Sequence, residues 1–266
     1  MKRRMQESSK KPIRSTNSNK TSRSRRSNEI TFGNFPTEIY YEIFKSLNGE
    51  QLRKCATVCK KWKNIVQTIL NIDCVFICDI TKSVKEYWGD LLYELEIQTV
   101  IFDKIKYGFI GYTDHYSCNK LITSVPLTYD SFNLMGKLYN VELGEGRDYP
   151  EAVLDGLYAS LHLNWRPYSK KICILICDSP AHGVRYSSKD FIYDDNFPDG
   201  CPCGLSENFI FSEFTEMNII FFILYTHPNV ESMCEKLRET YPNVVSIEVK
   251  QNKFREVIPL ILSKIQ

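Results

Sequence analysis

The stretch CVFICDITKSV, Cys74 to Val84, decides how the chain is read. Five residues able to pack, Cys74 to Cys78, run into Asp79, Thr81 and Ser83, which carry side-chain oxygens at every second position. A short apolar run bounded by polar residues reads as a buried strand. The spacing after it can gather three oxygens around one point at the strand's carboxyl end.

Working outward, apolar β-rich runs recur at Tyr107–Tyr112, Ile172–Cys177, Ile219–Tyr225 and Val244–Val249, alongside Val75–Cys78. Helical patterns fall between them at Val84–Ile97, Glu151–Leu163, Val230–Tyr241 and Phe254–Ile265. That alternation predicts an α/β fold, a mostly parallel sheet with helices on both faces. Ligands of such sheets bind at the carboxyl ends of the strands, where Asp79 follows one run and Asp178 another.

A hard divalent cation such as Mg²⁺ takes about six oxygens. Asp79, Thr81 and Ser83 come from one loop, and Asp178 from the loop after ILIC. Glu151 lies in the turn-rich GEGRDYPEAVLDGL, entering a helix where its charge suits the dipole. Each residue also has a structural reading: Asp79, Thr81 or Ser83 as a helix N-cap, Glu151 as a first-turn carboxylate. Asp148 reads as loop-forming. Asp114, His115 and His182 follow strand ends as rim or loop residues, and Asp194, Asp195 and Asp199 read as a solvated acidic loop. Cys74/Cys78 and Cys173/Cys177 share strand faces as core filler. Cys201-Pro202-Cys203, with His182 upstream, is the more metal-like cysteine group, but no second close pair accompanies it.

These residues resemble a von Willebrand factor A (vWA) domain, a Rossmann-like fold with a metal-ion-dependent adhesion site (MIDAS). Asp79-x-Thr81-x-Ser83 is similar to its Asp-x-Ser/Thr-x-Ser loop, Asp178 to its later acidic residue, and Asp148-x-Pro150-Glu151 to an Asp-x-Pro-Glu loop. The stretches at Phe109–His115, Asp148–Ala152, Leu163–Trp165, Asp178–Gly183 and Phe197–Gly200 resemble the A domain of Vwk-type alpha-kinases. The resemblance implies Mg²⁺ held by Asp79, Thr81, Ser83, Glu151 and Asp178, with one coordination position kept for an acidic side chain of a protein client. Lys82 and Val84 depart from that subgroup, which usually has Gly and Met there, and an inward-pointing lysine would oppose a cation. No kinase catalytic segment follows, so kinase activity is not implied.

Upstream, FPTEIYYEIFKSLNGEQLRKCATVCKKWKNIV, Phe35 to Val66, places apolar residues at helical spacing on two amphipathic helices broken at Asn48-Gly49, with Asn34 as a cap and Pro36 at N1. So few residues bury little core alone, and a partner is expected. The segment resembles an F-box. Phe35-Pro36-Thr37-Glu38-Ile39, Ile43-Phe44, Leu47, Leu52 and Val58-Cys59-Lys60-Lys61-Trp62 follow the pattern, with Phe35 replacing the initial Leu. The resemblance implies docking on a Skp-type adaptor and cullin complex through Phe35, Pro36, Ile39, Ile43, Phe44, Leu47, Val58 and Trp62.

The chain has 266 residues and a formal charge of +2. Met1 to Asn28 holds ten Lys or Arg and one Glu, a net of +9, which leaves about −7 for the remainder. Residues 1–30 therefore read as a disordered basic tail, 31–70 as the helical module and 71–266 as the vWA-like domain. The acidic remainder argues against nucleic acid. The apolar runs fall short of the 18 to 20 residues of a membrane span, and the basic N-terminus lacks an apolar signal region, so the expected location is cytoplasmic, nuclear or both. The expected function is a non-catalytic substrate-recognition subunit of an SCF-type ubiquitin ligase. Alternatives are a vWA scaffold outside ubiquitin chemistry, and a haloacid-dehalogenase-like phosphatase, whose first motif Asp79-x-Thr81 resembles except that Thr81 stands where a second Asp would be the general acid.

Overall fold

Strand β1 (Ile72–Asp79) is buried from end to end because both of its edges are paired, in parallel, with β2 (Ile105–Tyr112) and β4 (Lys170–Cys177). Outside β4 lie β5 (Ile219–Tyr225) and β6 (Val245–Glu248), also parallel. Outside β2 lies β3 (Ile122–Thr128), which is antiparallel, so the six-stranded order is β3-β2-β1-β4-β5-β6. The computed structural model describes residues 35–265 except 103, 117–119, 188–193 and 251–252; the basic tail and the Asn34 cap lie outside the described residues.

Alternation along β1 supplies both faces of the sheet. Cys74, Phe76 and Cys78 join a core with α4 (Lys85–Ile101), α5 (Ser131–Leu138) and α9 (Phe254–Ile265), through Leu91, Leu134 and Ile258 among others. Val75 and Ile77 join the opposite core with α6 (Val153–Leu161), α7 (Glu207–Glu216) and α8 (Glu231–Thr240), through Leu157, Phe211 and Leu237. Cys173 and Cys177 fill this second core.

Three elements differ from expectation. β3 carries Pro126, which removes a ladder donor and hides the strand pattern, yet an edge strand tolerates it. α5 is short and contains Gly136, and α7 follows a loop rich in Gly, Pro and Cys; Asp130 and Ser206 cap them by accepting from Asn133 N and Phe209 N.

The N-terminal module has three helices instead of two: α1 (Thr37–Lys45), α2 (Gly49–Cys55) and α3 (Lys60–Ile69). Asn48 ends the first by starting the second: its Oδ1 accepts from Gln51 N while Gln51 Oε1 accepts from Asn48 N, a reciprocal capping box. Thr57 interrupts the expected continuation, its hydroxyl donating to Lys54 O at 2.8 Å. Tyr40, Phe44, Leu52, Ile65 and Val66 are buried, and Trp62 lies edge-on to Phe44 at 5.0 Å.

Helices and sheet share one unit, Thr37–Gln266. Tyr41 of α1 stacks on Tyr168 at 3.9 Å and an interplanar angle of 4°, just before β4 begins. Tyr168 holds a left-handed backbone, φ 62°, unfavourable for a bulky residue and offset here by its packing. Beside it, Asp73 near the start of β1 is fully buried. Its two carboxylate oxygens accept from Arg166 N, Arg166 Nε and Ser169 Oγ, so the charge is completely satisfied.

Candidate functional site

At the other end of β1 the carboxylates are satisfied only in part. Asp79, 1% exposed, accepts on Oδ1 from Thr81 N at 2.8 Å and Thr81 Oγ1 at 2.7 Å, while its Oδ2 is buried with no hydrogen-bond partner among the described residues. Thr81 Oγ1 lies 2.9 Å from Ser83 Oγ, which brings the three oxygens of the loop together as the alternating spacing suggests. Asp178 directly follows β4, the neighbour of β1, and Ser179 Oγ donates to its Oδ1 at 3.3 Å.

Glu151 reaches the same place from a third segment, because the backbone laces the loops together. Glu151 N donates to Pro180 O, Ala152 N to Thr113 O, and Gly144 N to Ile80 O. It sits two residues before α6 rather than in its first turn. One of its oxygens rests against Gly146, where a Cβ would lie 2.4 Å from Oε1, so only glycine leaves this space. The other, Oε2, is buried without a hydrogen-bond partner among the described residues.

Thr81, Ser83, Glu151 and Asp178 line a cavity of about 450 Å³ together with Lys82, Glu145, Gly146, Asp148, Tyr149, Ser179 and His227, and Asp79 lies buried behind Thr81. Its electrostatics follow from crowding like charges in a low-dielectric place. Burial, then the Asp178 carboxylate, hold Asp79 well above the usual carboxylate range despite the two bonds from Thr81. Burial and the charges of Asp79, Asp114, Asp178 and Asp148 push Glu151 up to about 11. Burial also raises Asp148, whose Oδ1 is a further buried oxygen without a hydrogen-bond partner among the described residues. Such a set is high in energy alone and needs protons or a cation. The donors are all oxygen, which fits a hard divalent cation.

Lys82 does not point its charge into this cluster. Its ammonium pairs with Glu145 at the rim and is largely exposed. The pair draws the Glu145 carboxyl below its ordinary range, first through the hydrogen bond and then through the charge.

The rim residues are more ordered than their spacing implied. His182, buried, lies 3.0 Å from Asp195 Oδ1 through Nδ1 and 3.3 Å from Asp114 Oδ1 through Nε2, with Asp148 Oδ2 at 3.9 Å. Asp195 is therefore not part of a solvated acidic loop: its side chain is buried, and it also accepts from Gly183 N and Phe197 N. Nor does His182 join Cys201 and Cys203, whose neighbours are His115 and Asp155. The sequence reading left out Tyr149 and His227, which meet at 3.2 Å between ring nitrogen and hydroxyl. His227 could have been found, since it follows the carboxyl end of β5.

In the helical module, Pro36, Ile39 and Val58 are exposed, while Phe35, Ile43, Leu47 and Trp62 are half-buried. Phe44 is 1% exposed, so it holds the helices together here instead of offering surface.

Comparison with known proteins agrees with both parts. A family model described as F-box-like matches residues 32–71. This part of the chain is an F-box-like domain. A curated relative, alpha-protein kinase vwkA of Dictyostelium discoideum, is 26% identical over 166 residues, 60% of this chain and 26% of the relative. The chain thus spans about a quarter of that protein's length. Among solved structures, proximal thread matrix protein 1 from the mussel byssus, with a zinc-occupied MIDAS motif, aligns at TM-score 0.51 and 13% identity, over 77% of this chain and 49% of that one. The pilus adhesin SpaC of Lactobacillus rhamnosus GG aligns at 0.50 and 13%, over 74% of this chain and 30% of that one. The sheet that follows the F-box is vWA-like.

Proposed function

We propose that the chain is a substrate receptor of an SCF-type ubiquitin ligase, the F-box docking a Skp-type adaptor within a cullin complex and the vWA-like domain recruiting a protein client. The match at residues 32–71 supports the first half, since F-box domains generally bind such adaptors. The second half rests on one observation above the others: two buried carboxylate oxygens, Asp79 Oδ2 and Glu151 Oε2, have no partner among the described residues, near an open cavity at the sheet's carboxyl end. Asp79, Thr81, Ser83, Glu151 and Asp178 are the residues that would hold Mg²⁺. Bound there, the ion would let the carboxylates ionise together and give an acidic client group a Lewis-acid contact. Thr81, whose hydroxyl meets Ser83, orients the Asp79 carboxylate, Gly146 leaves room for Glu151, and Glu145 holds Lys82 at the rim.

Ubiquitin transfer on this reading belongs to partner proteins. Thr81 Oγ1 donates to Asp79 and is no acid near neutral pH, which weighs against the phosphatase alternative. The burial of Phe44 favours a second reading, in which the helical module is a docking element of a vWA scaffold outside ubiquitin chemistry. The test is recovery of the Skp-type adaptor and cullin with tagged full-length chain, wild type beside Pro36→Ala/Ile39→Ala and Asp79→Ala. Recovery by wild type and Asp79→Ala alone, with clients lost from Asp79→Ala, is expected. Absence of adaptor from every form leaves the scaffold reading, and equal client recovery with Asp79→Ala or in chelator rejects the cation-bridged contact.

A further inference from the structure

The two thiols of Cys201-Pro202-Cys203 do not meet His182, the histidine that sequence proximity offers. They meet His115, three residues past β2, and Asp155, in the first turn of α6. Cys201 Sγ lies 3.1 Å from Asp155 Oδ2 and 3.8 Å from His115 Nε2. Asp155 Oδ2 lies 3.1 Å from His115 Nε2, and Cys203 Sγ is 4.0 Å from the other ring nitrogen. One ligand atom from each of the four residues falls within 4.8 Å of the rest. The side chains of His115 and Asp155 are 8% and 7% exposed, so two of the four are already withdrawn from water.

We propose that His115, Asp155, Cys201 and Cys203 form a zinc site, separate from the oxygen cavity. Zinc–sulfur bonds of about 2.3 Å and zinc–nitrogen or zinc–oxygen bonds of about 2.0–2.2 Å give tetrahedral edges of roughly 3.3–3.8 Å. The observed 3.1, 3.1 and 3.8 Å separations among Asp155, His115 and Cys201 are close to three edges of that shape, and Cys203 Sγ, within 4.8 Å of the rest, must move inward to complete it. Softness separates the two places: thiolate and imidazole select zinc, whereas the oxygen set around Asp79 suits a hard cation. On binding, each thiol gives its proton to solvent as a zinc–sulfur bond forms, the proton between His115 Nε2 and Asp155 passes to Nδ1 or to solvent, and the carboxylate and imidazole exchange their mutual contact for the metal. The local chain is folded for this. Gly200 and Gly204 take left-handed φ of 117° and 74° on either side of the thiols, Gly204 N donates to Cys201 O, and Phe197 packs edge-on to His115 at 5.6 Å.

The site would tie the segment after β2, the start of α6 and the loop at residues 197–203 into one piece. Glu151 lies just before that helix, and Asp195, partner of His182, just before that loop. Zinc here is thus a fastener for the rim of the oxygen cavity.

The experiment measures zinc by mass spectrometry in the full-length chain purified without chelator. About one equivalent is expected, resistant to dialysis, released by a thiol-specific mercurial, lost in Cys201→Ser/Cys203→Ser and kept in Asp79→Ala/Asp178→Ala. Wild-type protein without bound zinc, zinc retained by the cysteine variant, or zinc lost with Asp79 and Asp178 would each overturn the proposal. The last outcome would place the metal in the oxygen cavity, as in the mussel protein. Because the cysteine variant can also misfold, wild-type protein loaded with Co²⁺ provides a second reading. A sulfur-to-cobalt charge-transfer band supports thiolate ligation, and a cobalt complex lacking the band refutes it.

Discussion

Glu151→Gln should make the cation-free protein more stable, although it replaces a buried residue at the centre of the site. Glu151 is pushed from an ordinary 4.5 to about 11 by burial and by the Asp79, Asp114, Asp178 and Asp148 charges. At neutral pH the side chain is protonated when folded and ionised when unfolded, so folding must take up a proton. That uptake costs about 1.4 kcal/mol for each pH unit above the unfolded value, which comes to about 3 kcal/mol near pH 7 and under about 1 kcal/mol near pH 5. The sign follows: with a raised acid, this contribution worsens from the unfolded value upward and levels off only above the folded one. Glutamine has the same shape, keeps the space opposite Gly146 and carries no such cost.

Thermal unfolding in chelator tests this directly. For a domain of this size about 3 kcal/mol corresponds to roughly 6–12 °C, so the variant should melt higher than wild type by that order near pH 7 and by far less near pH 5. Added Mg²⁺ should reverse the order, stabilising wild type by mass action and the variant much less. A variant that melts at or below wild type in chelator, or a difference that does not change between the two pH values, would refute the electrostatic account.

His182 gives an opposite pH signature. Burial acts to lower its value, but hydrogen bonds to Asp114 and Asp195 and the charge of Asp148 outweigh burial and raise it above 6.5. Its ion pairs therefore contribute fully below about pH 6.5, and this is lost as pH rises through the higher folded value. The melting difference between wild type and His182→Ala should be largest on the acidic side and narrow as pH rises; a constant difference would leave His182 with packing alone. In the F-box, Phe44→Ala should cost about 3–5 kcal/mol and loosen the helices, as a large-to-small change in a core does. Ile39→Ala, at a residue 43% exposed, should change stability by no more than about 0.5 kcal/mol while lowering adaptor recovery. Adaptor recovery that survives Ile39→Ala unchanged would count against that surface.

The parts of the fold that could be read ahead were those where one physical demand governs a stretch. β1 is buried on both faces throughout, and β4 and β5 are over most of their length, so they appear as apolar runs, and the oxygens of Asp79, Thr81 and Ser83 converge because their spacing alternates. β3 was illegible because an edge strand can carry Pro126 and polar residues. The burial of Asp195 and the approach of Cys201 to His115 were illegible for another reason. They join segments far apart in the chain, and nothing local in a polar loop records which distant histidine it will meet. Lys82 shows the same limit, since its sign at the rim depends on Glu145, 63 residues away.

The placement of the two halves bears on how such a receptor would work. α1 meets the sheet where β4 begins, through the Tyr41–Tyr168 stack, and Asp73 with Arg166 locks that end of β1 with every carboxylate oxygen satisfied. The open cavity lies at the far end of the same strand, where Asp79 and Glu151 each leave an oxygen without a partner among the described residues. Seven strand rises of about 3.3 Å separate the ends by roughly 23 Å. The intervening strand is paired on both edges and buried on both faces, so it has no hinge of its own. On the proposed function, adaptor and client would be held at opposite ends of a rigid spacer. Cation binding at one end would change client affinity without altering the adaptor surface, and Asp79→Ala should accordingly separate the two activities.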